Sequence, residues 1–130
     1  MEKIKEILYD ENLHFEHENW KSELEFWDDE LKTFTNRMSE LVTRWTNDEI
    51  LEQLEHFQNE FVLHGAVIDD FKETINKHEA NLANRSKMNS ESLNVTLVKT
   101  HMQLREKMEK QRQKYADLKK EFFRFLSEYM

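Results

Sequence analysis

The sequence predicts an all-α protein, an antiparallel up-down-up three-helix bundle with long helices of about 35–42 residues. The chain of 130 residues has no proline and one glycine, so little in it interrupts a helix. In three segments, apolar residues recur at alternating spacings of three and four, which places them on one stripe of each helix. We expect a single domain over residues 1–130, with helices at about 2–45, 47–84 and 90–129.

The first helix is predicted from a row of inward-facing positions, which we call a seam. Its members are Leu13, His17, Trp20, Leu24, Trp27, Leu31, Phe34, Met38, Leu41 and Trp45. After Trp45 the spacing breaks, and the residues from Thr46 to Glu49 fit a capping box. In that motif Thr46 caps the second helix and the Glu49 side chain reaches back to it. We therefore expect the chain to reverse at this point.

The second helix follows from a second seam. Its members are Ile50, Leu54, Phe57, Phe61, His64, Ile68, Phe71, Ile75, His78 and Leu82. The segment 84–90 is polar, rich in Asn and Ser, and lies outside the seams, which indicates a second connection. Asn89 or Ser90 is the expected cap of the third helix.

The third helix carries the seam with the most basic flanks. Its members are Leu97, His101, Leu104, Met108, Gln111, Tyr115, Leu118, Phe122, Phe125 and Tyr129. A basic stretch from Arg105 to Lys120 is compatible with nucleic-acid binding or with pairing to acidic flanks of the other helices. Because the net charge of the chain is −8, we expect the pairing and no nucleic-acid partner.

Four of the five polar seam positions are histidines, and helix geometry brings three of them to one level. If the connections are short, His17 lies opposite residue 77 and His101 opposite residue 74, so both approach His78 within about 6 Å. These three side chains come from three different helices. The sequence therefore predicts a layer of imidazoles inside the bundle.

The same alignment brings His64 level with Gln111, the fifth polar seam residue, with Glu30 beside them. The polar seam residues thus fall at two levels along the bundle axis. We expect a second polar layer, separate from the three histidines.

Three imidazoles at one level are a common protein ligand set for zinc, iron or copper. The predicted metal ligands are His17, His78 and His101, with His14 as the fourth. Glu16 and Glu79 each flank a seam histidine and are candidates for extra ligands or for acceptors that orient an imidazole. No organic cofactor is predicted.

A second interpretation needs no metal. Buried histidines that hydrogen-bond to one another can fix the register of packed helices, and the protein is then an interaction or scaffold protein. The chain has no cysteine, no Gly-rich phosphate loop and no serine in a nucleophile-elbow context. No catalytic residue is predicted, and whether the protein is an enzyme stays open.

Partner and location follow from the surface. Phe15 and Phe26 lie off the seam on a shared outer face, which favours a homodimer formed through that stripe. No apolar run approaches the roughly 20 residues of a membrane span. The charged start from Met1 to Glu6 is unlike a signal peptide, so we expect a soluble cytoplasmic protein without a membrane partner.

Two stretches, Leu13 to Trp20 and Glu23 to Trp27, carry a resemblance. They resemble the opening of uncharacterised small bacterial helical-bundle proteins, with an N-terminal segment of the form HFEHxxW. The resemblance implies a bacterial cytoplasmic protein and assigns neither an activity nor site residues. In outline the chain is also similar to a spectrin-type repeat, a likeness of architecture only.

Overall fold

A computed structural model describes residues 10–88 and 91–129, with side chains over 13–84 and 95–129. The chain forms helix α1 (Asp10–Leu41), helix α2 (Asp48–Met88) and helix α3 (Glu91–Tyr129). Successive helices are antiparallel, so α1 and α3 run in the same direction. The predicted all-α three-helix bundle is confirmed. The predicted start of the first helix near residue 2 and the predicted cap at Asn89 or Ser90 lie outside the described residues.

The connection between α1 and α2 differs from the prediction. Helix α1 ends at Leu41 rather than at residue 45, in a tight turn where the Arg44 amide donates to the Leu41 carbonyl at 2.9 Å. Asn47, not Thr46, caps α2. Its Oδ1 accepts the amide hydrogens of Glu49 at 2.9 Å and Ile50 at 3.3 Å. The predicted capping box was wrong because the first helical residue is Asp48, which puts Asn47 in the capping position.

The end of α2 sets the level of the histidines. Helix α2 continues to Met88, about one turn beyond the predicted end at residue 84. The end of α2 at Met88 is therefore three residues before the start of α3 at Glu91. This shift of one turn brings His101 level with His78, where the sequence alignment had placed it opposite residue 74.

The seams form the core, and the core has two parts. The main apolar cluster extends from Trp20 on α1 to Phe125 on α3. A small second cluster consists of Leu13 and Leu97, with Leu82 packed against them. The predicted histidine layer lies between the two clusters, so apolar side chains close it on both sides.

Charged pairs fix α1 beside α3. Acidic residues of α1 and basic residues of α3 pair at intervals of one heptad, as expected for two parallel helices in register. The pairs are Glu16 with Arg105 at 3.0 Å, Glu23 with Arg112 at 2.7 Å, and Glu30 with Lys119 at 2.9 Å. The expected pairing of the basic third helix with acidic flanks is confirmed. Since ion pairs near the surface contribute about 0–1 kcal/mol each, these half-buried pairs select the partner and register more than they stabilise the fold.

Candidate metal centre

His17, His78 and His101 meet in one buried layer, which we call the histidine layer. Their ring centroids lie 5.2 Å apart for His17 and His78, and 5.3 Å apart for the other two pairs. The three side chains are 1%, 2% and 0% exposed. Trp20 stacks on His101 with ring centroids 5.2 Å apart and screens the layer on the side of the main core. Each imidazole is held by a different helix, as the sequence predicts.

Hydrogen bonds define where the protons of two of these rings lie. Nε2 of His101 contacts Oε1 of Glu16, and because a carboxylate only accepts, this nitrogen carries the hydrogen. Nδ1 of His101 is then a lone pair, which accepts from Nε2–H of His78 at 3.2 Å. Arg105 donates to the same Glu16 oxygen at 3.0 Å and holds the carboxylate in place. In this arrangement Nδ1 of His78 is a second lone pair.

A second carboxylate orients His17. Nδ1 of His17 lies 3.3 Å from Oε1 of Glu79, which favours the tautomer with the hydrogen on Nδ1. Nε2 of His17 and Nδ1 of His78 are both buried without a hydrogen-bond partner. Oε1 of Glu79 also lacks a hydrogen bond, so its contact with His17 is close but poorly aligned. Two imidazole lone pairs are therefore buried in the bundle without a donor.

Burial keeps the three imidazoles neutral. It is the main reason why the pKa of each is lowered, and for His78 the value falls to about 4. Mutual repulsion adds to the lowering, since protonated His17 and His101 would both face His78. Glu16 acts in the opposite direction on the pKa of His101 without overcoming burial. Neutral imidazole is the form that binds a metal ion, so near pH 7 the layer is in its ligand state.

The donor set fits a transition metal ion. One nitrogen from each histidine can be chosen so that all three lie within 4.8 Å of one another. Two nitrogens bound at roughly 2.0–2.1 Å in tetrahedral geometry are about 3.3 Å apart. Nε2 of His78 and Nδ1 of His101 are separated by 3.2 Å, so both could bind one ion if the hydrogen on Nε2 of His78 moved to Nδ1 of the same ring. Carboxylates on the far nitrogens of His17 and His101 match the usual surroundings of metal-binding histidines.

His14, the predicted fourth ligand, does not lie in this layer. Leu13 occupies the inward position of that turn, and the His14 side chain is exposed. Potential ligand atoms of His14, Glu18 and Glu79 lie within 4.8 Å of one another, and we call these residues the outer cluster. The sequence pointed to His14 and Glu79 but missed Glu18. Its spacing of four residues from His14 was the available signal.

The second polar layer forms as predicted between α2 and α3. Gln111 and His64 are joined by a hydrogen bond of 2.8 Å between Nε2 and Nδ1. Glu30, expected beside them, instead accepts from the Tyr115 hydroxyl at 3.1 Å and pairs with Lys119. The ion pair with Lys119 of α3 holds the Glu30 carboxylate in this position. Burial lowers the pKa of His64 and opposes its protonation.

The surface residues of the sequence analysis are also placed. Phe15 is 67% exposed and Phe26 58%, on the face predicted to pair two copies of the chain. Homodimer formation stays a prediction. Among the described helices, none is both long enough and apolar enough to cross a membrane.

Comparisons of the chain with protein-family models, with curated proteins and with solved structures find no match. The geometry of the histidine layer is therefore the basis on which a function is inferred.

Proposed function

We propose that the histidine layer binds a transition metal ion through His17, His78 and His101, and that the protein is a metal-binding helical bundle. One observation carries this proposal: three buried imidazoles bring one nitrogen each within 4.8 Å of one another, and among these rings Nε2 of His17 has no hydrogen-bond partner. A buried group without a partner costs about 1–3 kcal/mol, and a cation bound to Nε2 of His17 would remove that cost at this nitrogen. Apolar residues at the same positions would avoid it without any ligand.

The chemistry of the layer favours zinc, iron or copper. Imidazole nitrogen suits each of these ions, whereas magnesium and calcium prefer oxygen ligands. Glu16 and Glu79 would orient the ligating rings and raise their basicity through the far nitrogens. The apolar clusters on both sides would limit the access of water to the ion. A structural or storage site fits this burial better than a catalytic one, which needs room for a substrate.

The test is metal analysis of protein purified without a histidine tag, followed by thermal unfolding with and without added zinc. The wild type should contain a transition metal, and its unfolding free energy should rise by about 2.7 kcal/mol when free zinc exceeds the dissociation constant a hundredfold. His78→Leu should lose the tightly bound metal. His56→Ala, which removes an exposed histidine outside the layer, is the matched control and should behave like the wild type.

The second candidate function is that of an interaction or scaffold protein in which the histidines only set helix register. The hydrogen bond from His78 to His101 and the contact of His101 with Glu16 favour it, because they satisfy part of the layer without an ion. For this function we expect no copurified metal and no effect of zinc or iron on the melting temperature. Metal-free His78→Leu would then be as stable as the wild type or more stable. That set of results would refute the metal-binding proposal.

A further inference from the structure

The outer cluster combines the groups that hold a divalent metal ion at a protein surface. His14 and Glu18 are four residues apart on α1 and present their side chains on one face of that helix. Glu79 joins them from α2, so the cluster bridges two packed helices. One imidazole and two carboxylates form a mixed nitrogen and oxygen set, which suits zinc and manganese.

Glu79 is the link between this cluster and the interior. Its side chain is 28% exposed, whereas His17 beside it is 1% exposed. One carboxylate oxygen, Oε1, is buried without a hydrogen bond and lies 3.3 Å from Nδ1 of His17. Glu79 is therefore shared between two environments: Oε1 faces His17 of the histidine layer, and Oε2 pairs with Lys21.

Lys21 is the built-in competitor for this position. Its ammonium group lies 2.7 Å from Oε2 of Glu79, the oxygen that does not face His17. A metal ion at Glu79 must therefore displace Lys21 from this carboxylate or share the carboxylate with it.

We propose that His14, Glu18 and Glu79 form a second, outer binding site for a divalent transition metal ion, next to the histidine layer and joined to it through Glu79. The site is accessible from solvent, and the ammonium group of Lys21 weakens it. Its three ligands are separate from the three histidines, so each site can be removed without replacing a ligand of the other.

The experiment is calorimetric titration of metal-free protein with zinc, with manganese as a second probe. The wild type should bind a weaker zinc equivalent at the outer site in addition to any zinc held in the layer. His14→Ala should abolish that weaker event, and Glu18→Gln should weaken it about tenfold or more. His56→Ala is the matched control, because His56 and Glu60 have the same spacing of four residues on α2 but belong to no candidate metal cluster among the described residues.

Lys21→Gln gives the sharpest result, because it removes a charge without touching a ligand. It should strengthen the weaker event several-fold, since Oε2 of Glu79 no longer pairs with an ammonium group. An affinity that stays unchanged or falls would overturn the proposal. So would a titration in which His14→Ala keeps the weaker event, or in which His56→Ala removes it as well.

The two metal proposals fail in different ways. His78→Leu should remove only the tight event and keep the weaker one. A wild type that binds a single zinc, lost in His78→Leu but kept in His14→Ala, would refute the outer site and support the histidine layer. A single zinc lost in His14→Ala but kept in His78→Leu would support the outer site and refute metal binding by the layer.

Discussion

The histidine layer and the phenylalanine cluster, which lie toward opposite ends of the bundle, occupy the same seams with opposite chemistry. The phenylalanine cluster consists of Phe34, Phe57, Phe61, Phe122 and Phe125. The ring of Phe122 lies 5.0–5.3 Å from three of the others and is fully buried. In the histidine layer the rings are as deeply buried and spaced at 5.2–5.3 Å, yet two ring nitrogens have no partner.

This difference shows that the position of a side chain in the core and its contribution to the stability of the fold have separate causes. Periodicity alone puts a side chain in the core, whatever its chemistry. Burial then stabilises an aromatic ring by the area it removes from water, whereas an imidazole must also find donors and acceptors for its two nitrogens. The aromatic end therefore stabilises the fold without any ligand. The histidine end adds less to stability than apolar residues would. Its histidines are explained if they bind a ligand or if they set the register of the helices.

The largest expected effect comes from breaking the aromatic end. Phe122→Ala should lower the free energy of unfolding by about 3–5 kcal/mol, because it leaves a cavity among three other rings. Urea denaturation of metal-free protein measures this. His78→Leu, at equal depth in the other layer, should cost little under the same conditions. Equal losses for the two variants would show that the layers do not differ in the way described.

The next effect in size is the pH dependence of the histidine end. The pKa of His78 is lowered to about 4, and those of His17 and His101 are also lowered. The unfolded chain takes up protons near pH 6.5 and the folded chain only at lower pH. The contribution of these neutral histidines to the free energy of unfolding is therefore fully present above pH 6.5 and is lost as the pH falls toward 4. Between pH 7 and 5, His78 alone should account for about 2 kcal/mol.

Urea denaturation of metal-free protein across this pH range gives the slope. His78→Leu should reduce it, since the group that resists protonation is gone. Phe122→Ala should lower the stability at every pH and keep the slope of the wild type. A slope that does not change in His78→Leu would exclude this histidine as its source.

The smallest expected effect concerns the surfaces of the two ends. Phe123, 46% exposed, packs edge-on against Phe34 of the same chain with ring centroids 5.5 Å apart. Phe15 is more exposed, and it lies with Phe26 on the face predicted to form a homodimer. The double variant Phe15→Ser and Phe26→Ser should shift a dimer to monomer in analytical ultracentrifugation with little loss of helix. Phe123→Ser should leave the dimer intact. A wild type that is monomeric at high concentration would contradict the prediction.

The spacing of residues in the sequence predicted most of the fold and the three histidines of the layer, but not the groups around them. The seams identified the buried positions, including His17, His78 and His101, because an unbroken alternation of three and four admits only one inward stripe. The fourth predicted ligand, His14, does not lie in the layer because it is outside this inward stripe. Proximity along the sequence suggested it, but the stripe passes through Leu13 at that turn.

The sequence by itself determined the helices, the buried stripes and the presence of imidazoles within them, because these depend on local spacing and on burial. Only the tertiary structure decided which carboxylates contact the nitrogens of each imidazole. The contact of Glu16 with His101 and that of Glu79 with His17 depend on the level at which three helices stop and restart. A helix end displaced by one turn moves every contact by about 5.4 Å, more than a hydrogen bond tolerates, while leaving the apolar pattern unchanged.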